Sequence, residues 1–109
     1  MVGDHTAVND QALALVKKLN VTPEDNATSK SLTSQAEAAR TRLAGLSGAA
    51  FDKAYVDNEV AYHKTVNAAL KDTLIPDAQN PELKSLLQSG LTLFQAHLQH
   101  AKTLAKQLQ

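Results

Sequence analysis

Apolar positions along the chain recur at alternating spacings of three and four, the period of a single helix face. His5, Val8, Ala12, Leu15 and Leu19 form the first such seam and predict a helix over residues 1–19. Asn20 supplies a stop, and Val21–Asn26 reads as a turn around Pro23. A second helix is expected over about 29–46, with Leu32, Ala36, Ala39, Leu43 and Leu46 inward. Its seam is small in the middle, which lets a neighbouring backbone come close. Ser47 then reads as the N-cap of a third helix over about 48–72, with Asp52 in its early turns where the helix dipole favours an anion. Phe51, Tyr55 and Tyr62 give this helix an aromatic edge, expected in the core. The run Leu74–Gln79 breaks it. Asn80-Pro81-Glu82 is a strong start for a fourth helix over about 81–108, whose seam is Leu83, Leu87, Gly90, Phe94, His97, Ala101, Leu104 and Leu108. There is no strand pattern. Short connections make consecutive long helices antiparallel. The expectation is an all-α antiparallel four-helix bundle, one domain over residues 1–109.

The seams are not wholly apolar. On the third helix Val56, Glu59, His63, Val66 and Leu70 share a stripe, so a carboxylate and an imidazole project inwards one turn apart. Such groups need partners, because an unpaired buried polar group costs about 2–7 kcal/mol. His97 occupies an inward slot between Phe94 and Ala101, His100 follows three residues on, and His5 lies on the first seam. Folding the third and fourth helices back on each other sets Glu59 level with His97 and His63 about 6 Å further along. His5 aligns less well. The best cluster is therefore Glu59, His63 and His97, with His5 and His100 as outer candidates. Two or three imidazoles and a carboxylate suit a divalent transition metal such as Zn, Cu, Ni or Fe. The same residues also fit a buried hydrogen-bond network that only fixes helix register, with Glu59 accepting from His63, His97 or a Tyr hydroxyl. A third reading is a pH switch, in which neutral packed histidines charge below about pH 6.5.

Composition removes several classes of function. Eleven basic and eleven acidic residues cancel, so the clustered cations that drive nucleic-acid binding are missing. The absence of cysteine removes disulfides, thiolate metal sites and thiol catalysis together. No apolar run reaches the roughly 18 residues of a membrane span. No charged-then-apolar leader opens the chain, so no signal peptide is read in it. No Gly-x-Ser-x-Gly elbow and no glycine-rich phosphate loop occur, and no residue is assigned a catalytic role. With only 4% aromatics, the core is expected to be aliphatic.

The runs Val2-Gly3-Asp4-His5, Leu46-Ser47-Gly48-Ala49-Ala50-Phe51-Asp52-Lys53-Ala54-Tyr55, Glu59-Val60-Ala61-Tyr62-His63 and Phe94-Gln95-Ala96-His97-Leu98 with Ala101 resemble a family. It is the ferritin-like family of bacterial exported proteins catalogued as a domain of unknown function, DUF4142. The resemblance extends over essentially the whole chain. It implies a ferritin-like bundle in periplasmic or membrane-anchored proteins, and no established activity. The family's recurring polar positions match Asp4, His5, His63 and His97 here, and Glu59 more loosely. Asp4, Tyr55 and Tyr62 are expected to be structural. Members usually carry an export signal and a further helix before the segment that begins here at Met1. The expectation is thus a bundle lacking its leading helix, with an exposed face suited to a homodimer. A ferritin-type di-iron site needs a Glu from each of two helices and two Glu-x-x-His motifs. This chain has Glu59-x-x-x-His63 and one inward carboxylate, a poor match. Two functions follow as expectations. One is a cell-envelope bundle with a stress or metal-handling role. The other is a non-enzymatic interaction or structural module whose polar cluster sets register.

Overall fold

A computed structural model describes residues 1–109. Helix α1 spans Val2–Leu19, α2 Ala27–Ala44 and α3 Gly48–Ala69. The last runs on through a π-helical turn, Leu70–Leu74, into the single turn α4, Ile75–Asp77. Helix α5 spans Pro81–Gln107. The all-α expectation holds, and no strand is present.

Local chemistry accounts for the ends. Asn26 accepts the backbone N–H of Ser29 at 2.9 Å, while the Ser29 hydroxyl accepts that of Asn26 at 2.9 Å. This reciprocal cap starts α2 at Ala27, two residues before the expected 29, because Ser29 is the third helical residue rather than the first. Gly45 ends α2 short of Leu46. Asn80 accepts from the Leu83 N–H at 3.0 Å with Pro81 just inside, as its sequence predicts. The third helix does not break near 72. Pro76 has no N–H, and in a regular helix its ring would collide with the Asp72 carbonyl. The chain widens instead, with the Ile75 N–H bonding Leu70 five residues back, and the helix continues through the proline.

Helices α3 and α5 form the central pair, and α1 lies along α5. Helix α2 packs against α3 alone, and α1 and α2 do not meet. The molecule measures 45 × 25 × 24 Å with a radius of gyration of 15.4 Å, against about 13 Å for a compact domain of this length. Its accessible surface is 7617 Å², where about 5,900 Å² is usual for 11.7 kDa. The excess shows that the bundle is not closed on the α2 side. Tyr55 and Tyr62 show this directly. Both were expected in the core, yet they are 42% and 41% exposed, since no helix covers the α3 face between α1 and α2. The buried apolar side chains are Leu70, Phe94 and Ala101, and beside them lie three buried polar ones, His63, Asn67 and His97. The centre of this bundle is therefore as polar as it is apolar.

Candidate metal centre

Three helices each place one imidazole at the same level. His5 comes from the second turn of α1, His63 from the middle of α3 and His97 from the middle of α5. His63 and His97 are buried, and His5 is half-buried. Phe94, one turn before His97, stacks on the His5 ring with centroids 4.4 Å apart and planes 5° from parallel, which fixes its tilt.

The outward nitrogens identify the protons. His63 Nδ1 lies 2.9 Å from the Glu59 carbonyl oxygen, an acceptor only, so Nδ1 carries the hydrogen and donates it. His97 Nε2 lies 2.8 Å from Asp4 Oδ2, again an acceptor, so Nε2 is the donor there. In the neutral rings this leaves lone pairs on His63 Nε2 and His97 Nδ1. Both point at His5 Nε2, at 3.4 and 3.2 Å. The three inward nitrogens lie within 4.8 Å of one another. One proton on His5 Nε2 satisfies one of the two lone pairs at a time. The second then lacks a donor in a buried site.

The electrostatics favour a neutral His5 ring. Burial, together with the nearby His97, His63 and N-terminal charges, lowers the pKa of His5 from its ordinary 6.5, with Asp4 opposing weakly. The hydrogen bond from His97 holds the Asp4 carboxyl below its ordinary 3.8. The His5 shift has a definite sign. The folded chain binds fewer protons than the unfolded chain once the pH drops towards and below 6.5, so stability is full above that value and is lost as the pH falls. We expect a lower urea midpoint for the metal-free chain at pH 5.5 than at pH 7.5, and a smaller difference in His5→Gln.

Of the five expected ligands, the fold brings together His5, His63 and His97. His5, expected at the margin, sits between the other two, because α1 runs antiparallel along α5, from Lys18 bonded to Glu82 to Val8 beside Gly90, which brings its second turn to the level of His97. Glu59 lies beside the cluster instead of in it. Its Oε2 is 3.6 Å from His63 Nδ1, on the side of the ring turned away from the other imidazoles. His100 is exposed and outside the cluster, since the three-residue step from His97 carries it to the solvent side of α5. Asp4, expected as a structural polar group, is the partner of His97. Sequence reasoning missed Asn67, which is buried one turn beyond His63 with both amide atoms unpartnered. Its spacing of four and three from His63 and Leu70 was the available signal.

No helix is long and apolar enough to cross a membrane. No curated protein and no solved structure matches the chain. A family model, Domain of unknown function (DUF4142), matches residues 1–104. With nearly its whole length matched, and with the histidines that carried the resemblance gathered into one site, the chain belongs to the DUF4142 family.

Proposed function

We propose that this protein is a metal-binding helical bundle whose His5, His63 and His97 hold one divalent transition metal. The observation that carries the reading is the convergence of three imidazole nitrogens, two of them with lone pairs left inward by partners on the opposite ring atoms. Metal-bound histidines commonly donate their other N–H to a carboxylate or a backbone carbonyl, and His97–Asp4 and His63–Glu59 carbonyl are one of each. The spacing agrees. At zinc–nitrogen bonds of about 2.0–2.1 Å, neighbouring nitrogens of a tetrahedral site lie about 3.3 Å apart. Here they lie 3.2 and 3.4 Å apart. An all-imidazole set suits zinc, copper or nickel and gives little support to iron oxidation through bridging carboxylates. By family resemblance the setting is the periplasm or cell envelope, and the role is metal handling or protection against stress.

The test is metal content of the purified chain, followed by titration of chelator-treated protein with zinc, copper and nickel. One equivalent bound, with a rise in melting temperature that chelator reverses, supports the proposal. A chain that takes up none of the three, with its fold and melting point indifferent to chelator, leaves the histidines as a register-setting network. Asp4→Ala should lower metal affinity roughly 10–100-fold, because it releases the His97 ring from its outer partner. A competition titration against a coloured chelator measures this.

A further inference from the structure

The three imidazoles differ in what they face. His63 and His97 are enclosed, whereas His5 forms part of the wall of a cleft of about 300 Å³ between the first turns of α1 and the middle of α3. Thr6 and Asn9 line it from α1, and Tyr55, Glu59 and Tyr62 line it from α3. The last three follow one another at spacings of four and three, a single stripe on the face of α3 that its neighbours leave partly uncovered.

Three nitrogens do not complete a metal's coordination. Closed structural zinc sites have four protein ligands, while sites with three keep a position for water or substrate. The two nearest carboxyl groups do not supply a fourth donor in this geometry. Asp4 is engaged by the proton-bearing Nε2 of His97, and Glu59 lies beyond His63 Nδ1, both on ring edges turned away from the centre. A divalent ion held by neutral imidazoles also keeps its full charge, and beside the buried His63 and His97 that charge acts strongly on an approaching ligand. Glu59, on the cleft wall, weakens without cancelling that attraction for an anion, which limits anionic ligands to small ones of single charge. Neutral water is not opposed and can lose its proton once bound.

Resting on the metal reading above, we infer that the His5 cleft leads to an exchangeable coordination position, and that its ligand is a small oxygen donor or monoanion, with water as the resting occupant. The centre is then of the open, reactive kind and not a closed structural one.

The experiment uses the whole chain loaded with Co(II), whose visible ligand-field bands report its coordination, and titrates it with azide. Azide should shift the bands saturably. Val2 also lines the cleft, so Thr6→Trp, and separately Val2→Trp, narrow it from the side of α1. Either variant should weaken azide binding by about tenfold or more, while Co(II) affinity moves less than the 10–100-fold cost of a lost outer partner. Bands that form but ignore azide would mean a filled fourth position, which overturns the inference and leaves the metal site standing. Equal azide binding in the wild type and in whichever cleft variants fold overturns the access path. Failure of Co(II) bands to form at all counts against the metal reading itself.

Discussion

His63→Ala is expected to abolish tight metal binding, with a loss of more than the 10–100-fold that an outer partner costs. His63 is the most deeply buried side chain in the molecule, at 1% exposure. Its Nδ1 hydrogen is held by the Glu59 carbonyl, so its Nε2 has no freedom to turn away from the centre. Alanine removes that donor and offers nothing in exchange. In the wild type, metal at 100 times its Kd adds about 2.7 kcal/mol of stability. At about 4–8 °C per kcal/mol for a domain of this size, this raises the melting temperature by about 10 °C or more. The variant should show almost none of that rise. His100→Ala is the control, since His100 is exposed and outside the cluster, and it should bind metal as the wild type does. Binding that survived in His63→Ala but failed in His100→Ala would move the centre to the surface of α5.

Phe94→Ala is expected to have the largest effect on stability, about 3–5 kcal/mol. Whole domains are stable by only about 5–15 kcal/mol. The loss is proportionately heavy here because Leu70, Phe94 and Ala101 are the buried apolar side chains, and Phe94 is the only ring among them. Urea denaturation should show a midpoint lowered by about a fifth or more, or a chain that no longer folds cooperatively. The milder Phe94→Leu separates two roles of this residue. Leucine retains much of the buried volume but has no flat face for the His5 ring, which now stacks at 4.4 Å. The metal-free variant should therefore lose less stability than the alanine variant and still show weakened metal affinity.

Much of the fold was legible because each helix repeats its inward residues over four or five turns. Val8, Ala12, Leu15 and Leu19 are all at least half-buried, as are Leu32, Ala36, Ala39 and Leu43. On α5 the buried residues Gly90, Phe94, His97 and Ala101 are consecutive members of the seam read from the sequence. The site was legible by residue type and by face. Periodicity tells which way His5, His63 and His97 point, but not how far one helix slides along the next. His5 was accordingly set at the margin, where it is central. Asp4 shows the same limit. It is half-exposed, about 100° round α1 from His5, and becomes a partner of His97 only through the register in which α1 lies along α5. The π-helical turn was hidden for a different reason. Pro76 marks a regular helix as unable to continue, and a helix widened by one residue evades that rule.

The lone attachment of α2 to α3 gives the molecule two tiers of cooperativity. The imidazoles come from α1, α3 and α5, so the helices that build the centre hold together through it and through Phe94. Helix α2 contributes no ligand and buries no side chain fully. Regions with few buried contacts open locally at a fraction of the global unfolding free energy. Excursions of α2 away from α3 would then leave the centre assembled while baring more of the Tyr55–Glu59–Tyr62 stripe, which also lines the groove beneath α2. Solvent access to the neighbourhood of the histidines is in this sense a matter of local unfolding, set by the weakest-held helix and separable from the stability of the site itself.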